Sequence, residues 1–191
     1  VEFTGVNVHP GSSKNTMVNA ALVAIEFNSM LPSADTPRDT EEYEGFFHLD
    51  AMNGNVSTAM LDYIIRDHDV ASFDCRLKTM EHIAKILNEK WGEGTVKLTI
   101  TEQYRNMKEI IDTCMELIDC ATAACKECGT PALITPIRGG TDGARLSFMG
   151  VPCPNLGTGG HAFHGPYEHI TVEGMDIAVE VGLKIIELFY K

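Results

Sequence analysis

The sequence is poor in positive charge and contains no long apolar run. Fifteen Lys and Arg stand against 27 Asp and Glu, for a formal net charge of −12. Nucleic acids and anionic membrane surfaces attract clustered Lys and Arg, so this balance disfavours both as partners. No apolar stretch approaches the roughly 18 residues of a membrane helix. No basic and apolar leader is present either, so we expect a cytoplasmic protein without a signal peptide.

Cysteine is too sparse for a disulfide scaffold, with six in 191 residues. Cys114 and Cys125 share a helical spacing with apolar residues, which favours packed free thiols in a reducing compartment. Cys125 and Cys128 form a CxxC pair. A redox pair opens a helix after a strand, whereas this one ends a helix before Gly129, so we favour core packing over redox or zinc chemistry.

The apolar fraction of 44% is enough for a buried core. The chain begins at Val1 rather than Met, so we expect a processed chain or a fragment.

Hydrophobic periodicity divides the chain near residue 104. The first part predicts alternating strands and helices in the order β-α-β-β-α-β, which is typical of a ferredoxin-like α+β domain. Asn53-Gly54 is the expected turn, and Ser72 the expected cap of the second helix. The predicted segments are strands at 2–8, 45–50, 61–67 and 96–100 and helices at 17–31 and 72–91.

The second part, from about residue 105, predicts long helices and only two short strands. Two strands cannot form a sheet covered on both faces, so this part resembles the C-terminal portion of a larger α/β domain. Met175, Val179, Ile186 and Phe189 are expected on the inner face of the last helix. The predicted segments are helices at 107–128, 142–149 and 172–190 and strands at 132–137 and 153–156.

Three of the seven histidines, His161, His164 and His169, lie within nine residues. The cluster resembles a metal site, but a catalytic zinc needs about three protein ligands and a two-metal site needs more. His164 follows a Gly-rich turn after a short strand, where α/β folds place their sites. The alternative is that these are surface or core histidines.

Arg138-Gly139-Gly140-Thr141-Asp142 joins a predicted strand to a helix. Glycines permit close approach of the backbone, the helix start offers free N–H groups, and Arg binds carboxylates in a bidentate manner. The loop therefore suits an anionic group such as a peptide carboxylate. An equally weighted alternative is a helix capped by Thr141 or Asp142 beside a surface arginine.

Two residues of the first part are further candidates. His9 ends a strand before Pro10-Gly11, where a fixed imidazole can donate to a developing oxyanion; a plain turn histidine is the commoner case. Arg66 lies on a strand, where an edge ion pair with Asp67 or Asp69 is the simple explanation.

Five stretches together resemble one enzyme family, that of the two-zinc aminopeptidases and carboxypeptidases, and in particular its bacterial tripeptide aminopeptidases. The resemblance covers essentially the whole chain. The stretches are GVNVHPGSSKNTMVNA, EEYEGFFHL, YIIRDHD, PIRGGTDGARLSFMGVPCPNL and TGGHAFHG.

This resemblance implies an organisation and a set of roles. Residues 1–104 correspond to a ferredoxin-like lid through which subunits form a homodimer, and residues 105–191 to the C-terminal part of the zinc-binding catalytic domain. His164 corresponds to a ligand of one of two zincs, and His9 to the lid histidine that stabilises the tetrahedral intermediate in the partner subunit. Arg66, Arg138 and the loop Gly139, Gly140, Thr141 and Asp142 correspond to substrate-binding positions.

The other zinc ligands and the general base of the family have no counterpart in this sequence. We therefore expect an enzyme fragment, inactive alone, whose parent releases the N-terminal residue of tripeptides. Two alternatives are a non-catalytic dimerisation or binding module, and a small structural zinc site formed by His161, His164 and cysteines.

Overall fold

A computed structural model describes residues 1–102 and 106–190, and these separate into two units. Unit 1 is Val1–Glu102, and unit 2 contains the described residues 106–190. The predicted division between residues 104 and 105 lies outside the described residues. The elements of unit 1 are β1 (Glu2–Thr4), α1 (Ala20–Met30), β2 (Phe46–Gly54), β3 (Thr58–Arg66), α2 (Val70–Trp91) and β4 (Val96–Lys97).

Unit 1 is built on a four-stranded sheet in which every neighbouring pair is antiparallel. The strands lie in the order β2-β3-β1-β4, and α1 and α2 contact them. The longest pairing joins β2 to β3, from Phe46 opposite Arg66 to Gly54 opposite Ala59, with an irregularity between Leu49 and Ala51. Residues 1–102 therefore form an α+β unit with strand β2 and strand β4 at its edges.

The core of unit 1 lies between the sheet and the two helices. Phe3 and Phe27 meet edge to face with ring centroids 5.7 Å apart. Each large apolar side chain that is fully buried contributes about 1.5–3 kcal/mol. The most deeply buried large side chains of this core are Phe3, Val23, Phe27, Leu61, Met80 and Leu87.

Glu26 joins α1 to the end of α2. Its carboxylate accepts hydrogen bonds from Lys90 Nζ at 2.5 Å and from Trp91 Nε1 at 3.0 Å. The hydrogen bond from Lys90, with that from Trp91, holds the pKa of Glu26 below its usual value against the opposing effect of burial. The contact is therefore stronger when this carboxylate is ionised.

Arg76 of α2 joins two carboxylates that are distant in sequence. Its Nε lies 2.8 Å from Asp67 Oδ2 and its Nη1 2.5 Å from Asp35 Oδ2. The Asp67 side chain is only 5% exposed and that of Arg76 16%. Gly45 packs against this ion pair so closely that an added Cβ would lie 2.1 Å from Asp67 Oδ2. The ion pair thus holds the loop before β2 and the residue after β3 against α2.

Several sequence expectations for unit 1 need correction. Asn53-Gly54 lies inside β2, and Asn55 makes the turn, since its side chain accepts hydrogen bonds from the N–H groups of Ser57 and Thr58. Ser72 does not cap α2; Asp69 does, accepting from the Ser72 N–H at 2.7 Å.

The first and the last predicted strands of this unit are shorter than expected. The strand predicted at 2–8 ends at Thr4, because Val6 pairs with Val18 instead of continuing along β3. The strand predicted at 96–100 is reduced to Val96–Lys97.

Unit 2 consists of helices and one short hairpin. The predicted helix 107–128 is divided at Asp112–Met115, where Thr113 Oγ1 donates to the Ile110 carbonyl and competes with the helical pattern. The predicted helix 172–190 is confirmed. The elements are α3 (Lys108–Ile111), α4 (Glu116–Glu127), α5 (Asp142–Phe148), β5 (Gly160–His161), β6 (His169–Ile170) and α6 (Val172–Tyr190).

The strands predicted at 132–137 and 153–156 are absent from the described structure, where both segments are irregular. A strand needs a hydrogen-bonded neighbour, and the described residues supply none to either segment.

Much of the apolar surface of unit 2 is exposed. Along α6 only Val181 is buried, while α4 packs against this helix. The prediction that one side of α6 is an inner, buried face is therefore wrong. Val179 is 62% exposed and Ile186 67%. Met175 and Phe189 are exposed as well. Within the described part of the chain, no helix is both long and apolar enough to cross a membrane.

We predict that Arg76→Met destabilises unit 1 by about 3–5 kcal/mol, because it leaves the buried Asp67 carboxylate without its ion-pair partner. The measurement is urea unfolding followed by fluorescence of Trp91, the single tryptophan of the chain. Lys85→Met is the matched control on the same helix: Lys85 lies 3.9 Å from Glu89 with both side chains well exposed. The control is expected to cost less than about 1 kcal/mol; equal losses in the two variants would contradict the prediction.

Candidate functional site

In unit 1, His9 precedes a single 3-10 turn formed by Pro10–Ser12. Its Nδ1 accepts a hydrogen bond from the Gly11 N–H at 3.1 Å. An accepting Nδ1 places the proton of the neutral ring on Nε2. The exposed imidazole therefore presents an N–H donor at its outer edge, and Pro10 and Gly11 hold the ring in place.

Arg66 is the last residue of β3 and lies opposite Phe46 of β2. Its Nη1 donates to the Ile65 carbonyl at 3.0 Å. The two carboxylates considered as its partners have structural roles, since Asp67 pairs with Arg76 and Asp69 caps α2. The guanidinium is thus placed at the end of a strand, beside the ion pair that fixes that end.

In unit 2, the loop from Arg138 leads directly into α5. Thr141 caps the helix: its Oγ1 accepts from the Ala144 N–H at 3.2 Å and from Asn155 Nδ2 at 3.2 Å. Asp142 is the first helical residue. Of the two candidate caps, Thr141 is the one that caps α5, and the substrate-binding role of the loop stays a prediction. Within the described part of the chain, no heavy atom lies within 4 Å of the position that a Cβ of Gly139 would take, so the backbone is open on that side.

Gly143 and Ser147 hold the neighbouring segment against α5, and sequence reasoning missed both. An added Cβ on Gly143 would lie 2.5 Å from the Cys153 carbonyl oxygen. The buried Ser147 hydroxyl donates to the Gly143 carbonyl at 2.8 Å and accepts from the Cys153 N–H at 2.9 Å. Two small residues four apart on a short helix were the available signal.

His164 lies in the loop between β5 and β6 with φ +62°, a conformation uncommon outside glycine. Its backbone N–H donates to Glu168 Oε2 at 3.0 Å, which orders the loop. The imidazole is exposed. His161 and His169 lie opposite one another on the two strands of the same hairpin. No helix is present between Gly160 and Pro166, so His161 and His164 do not form a helical i,i+3 pair.

The histidine stretch does not assemble a catalytic metal centre by itself. Among the described residues there is no group of three or more His, Cys, Asp or Glu side chains able to hold a metal ion. A single imidazole from His164 does not retain zinc, and the donor set present does not fit a two-zinc site. The cysteines are free, and Cys128 ends α4.

A family model matches the first part of the chain. The sequence profile of the peptidase dimerisation domain family matches residues 1–95, which are most of unit 1. Residues 1–95 are therefore similar to a peptidase dimerisation domain.

Over nearly its whole length the chain is similar to peptidase T. It is 53% identical over 189 residues to peptidase T of Clostridium perfringens strain 13, covering 99% of this chain and 47% of that protein. It is 52% identical over 187 residues to peptidase T of Alkaliphilus oremlandii, covering 98% of this chain and 46% of that protein. The chain thus spans about half the length of these relatives.

A solved structure shows the same fold. The crystal structure of a tripeptidase from Staphylococcus aureus superposes with a TM-score of 0.75 at 19% identity, over 98% of this chain and 49% of that one. At this level of identity the likeness concerns the fold alone.

Proposed function

We propose that this chain is part of a zinc-dependent tripeptide aminopeptidase, a cytoplasmic enzyme that releases the N-terminal residue of tripeptides. The observation that carries the proposal is the identity of 52% to peptidase T over 187 residues. Because the chain spans about half of that relative, we expect it to be inactive alone.

Within this proposal, residues 1–104 are a ferredoxin-like lid that forms the homodimer, and residues 105–191 are the C-terminal part of an α/β catalytic domain. The sheet order β2-β3-β1-β4 with two helices supports the first assignment. In the described residues β2 has a neighbouring strand on one side only, which leaves an edge available to a second subunit. The exposed apolar residues of unit 2 support the second assignment.

His9 is proposed to act on the partner subunit's substrate. The attack of water on a peptide carbonyl develops negative charge on the carbonyl oxygen. A neutral imidazole whose Nδ1 is engaged by the Gly11 N–H offers its Nε2–H to that oxygen without first reorganising. The donor acts mainly on the transition state, so its loss should lower kcat more than it raises KM.

Arg138 and the loop Gly139, Gly140, Thr141 and Asp142 are proposed to bind the far end of the substrate. A tripeptide ends in a carboxylate two residues beyond the scissile bond, and a guanidinium binds that group at a fixed distance from the reacting carbonyl. The cap formed by Thr141 holds the end of this loop. Arg66 is proposed to bind a second carboxylate or carbonyl group.

Zinc is proposed as a cofactor of the longer protein only, at two ions per subunit. His164 is the residue of this chain proposed as a ligand. When bound, the metal supplies Lewis-acid activation of water. The described residues do not complete its coordination.

The alternative is a non-catalytic dimerisation or binding module, which the match to a dimerisation domain favours. A chimera separates the two functions: this chain replaces the 189 aligned residues of the Clostridium perfringens relative. Zinc-dependent release of the N-terminal residue from tripeptides supports the enzyme. A folded, dimeric chimera that cleaves no tripeptide, while the parent relative does, supports the module.

In this chimera, His9→Ala is predicted to lower kcat by about 10²–10³-fold, because it removes a donor to the oxyanion. KM should change little. His82→Ala is the matched control, an exposed histidine on α2 of the same unit, and should leave both constants unchanged. A loss confined to KM would contradict the assigned role.

Mixed dimers test whether His9 acts across subunits. Co-expression of His9→Ala and His164→Ala chimeras forms heterodimers in which one of the two sites has both histidines. About a quarter of the wild-type activity is then expected from random pairing. Activity no higher than that of the separate variants would show that His9 acts within its own subunit.

Arg138→Met is predicted to lower kcat/KM for a tripeptide by about 10–100-fold, since a charged hydrogen bond is lost. The same peptide with a C-terminal amide should be affected much less. Arg145→Met, an exposed arginine of α5, is the matched control. Equal losses on the acid and the amide would show that Arg138 does not bind the substrate carboxylate.

A further inference from the structure

The hairpin of unit 2 carries two histidines that the proposed catalytic function does not use. His161 on β5 and His169 on β6 are register partners in an antiparallel pair, and both are exposed. Their ring centroids lie 5.3 Å apart and the ring planes are inclined by 27°. Two imidazoles therefore stand side by side on one face of the hairpin.

The tautomer of His169 is set by its backbone. Nδ1 lies 2.8 Å from the Tyr167 carbonyl oxygen. A carbonyl oxygen only accepts, so Nδ1 carries the proton and the lone pair of the neutral ring is on Nε2. Metal-bound histidines commonly donate their second ring N–H to a backbone carbonyl, which fixes the ring and raises its basicity as a ligand.

The spacing of the two rings also matches chelation. A metal–nitrogen bond of about 2.0–2.1 Å, extended by about 1.1 Å from the nitrogen to the ring centre, places each ring centre about 3.2 Å from the ion. Two such ligands at a tetrahedral angle have ring centres about 5.2 Å apart. The observed separation of the ring centroids, 5.3 Å, matches this value.

We propose that His161 and His169 form a two-imidazole site for a divalent transition metal of the kind that imidazole prefers, such as Ni²⁺ or Zn²⁺, in which His164 takes no part. The described residues complete no cluster of three ligands, so water fills the remaining positions and the ion exchanges readily. A bound ion links β5 to β6 and thereby holds together the two ends of the loop that carries His164. The net charge of −12 favours cation binding in general.

The test is a Ni²⁺ titration of the 191-residue chain, followed by paramagnetic broadening of the histidine side-chain resonances in ¹H–¹⁵N spectra. The six cysteines also attract metals, but the seven histidine signals report where the ion binds. We expect the signals of His161 and His169 to broaden first and together. Mg²⁺, which prefers oxygen ligands, should not perturb them.

Substitutions complete the test. His161→Phe and His169→Phe keep a flat ring in the stack and remove a ligand, so each should weaken Ni²⁺ binding by about tenfold or more. His82→Gln, an exposed histidine of α2, is the matched control and should leave the affinity unchanged.

Two results would overturn the proposal. One is wild-type affinity in both Phe variants. The other is broadening of His164 or another histidine ahead of the pair in the wild-type chain, a readout that does not depend on how the variants fold.

Discussion

The ion pair of Arg76 with Asp67 and Asp35 is the constraint on which unit 1 depends. It connects α2 to the residue that follows β3 and to the loop before β2. The absence of a side chain at Gly45 makes the contact possible. Arg66 immediately precedes Asp67, so the position of this candidate substrate-binding residue is set by the same ion pair. Burial of the charges costs free energy, which the mutual pairing and the fixed geometry offset.

The two units differ in how they bury apolar surface. Unit 1 has a continuous core from Phe3 to Val96. In unit 2, buried apolar side chains are confined to a few positions, and Leu133 and Ile134 are more than 70% exposed. The relatives are about twice as long as the chain, which supports the proposal that further polypeptide covers this surface. In the proposed enzyme, this chain is proposed to supply His164 and Arg138 to one active site and His9 to that of a second subunit.

Sequence patterns predicted the helices whose apolar residues recur at regular helical spacing. The long helix 172–190 and the helices of unit 1 followed from apolar periodicity. Short polar contacts escaped prediction: Asp69 rather than Ser72 caps α2, and Asn55 rather than Asn53-Gly54 makes the turn. Both depend on which side-chain oxygen reaches a free N–H, and spacing alone does not determine that.

The residues of the candidate site are predictions from the sequence, whereas their local arrangement is known only from the structure. Thr141 was one of two capping residues proposed from sequence, and the structure has it as the cap. The strands expected at 132–137 and 153–156 did not form, because a strand depends on partners that the local sequence does not supply. Pairing of His161 with His169 follows from hairpin register, which the nine-residue cluster by itself did not reveal.

The central claim is that residues 1–102 fold around their own core, whereas unit 2 belongs to a larger domain. Hydrogen exchange of the 191-residue chain, compared with the chimera, tests it most directly. The account predicts that amides of α1, β3 and α2 exchange about a hundredfold more slowly than those of α4 and α6 in the chain alone, and that α6 gains protection in the chimera. Equal protection of α2 and α6 in the isolated chain, unchanged in the chimera, would contradict it.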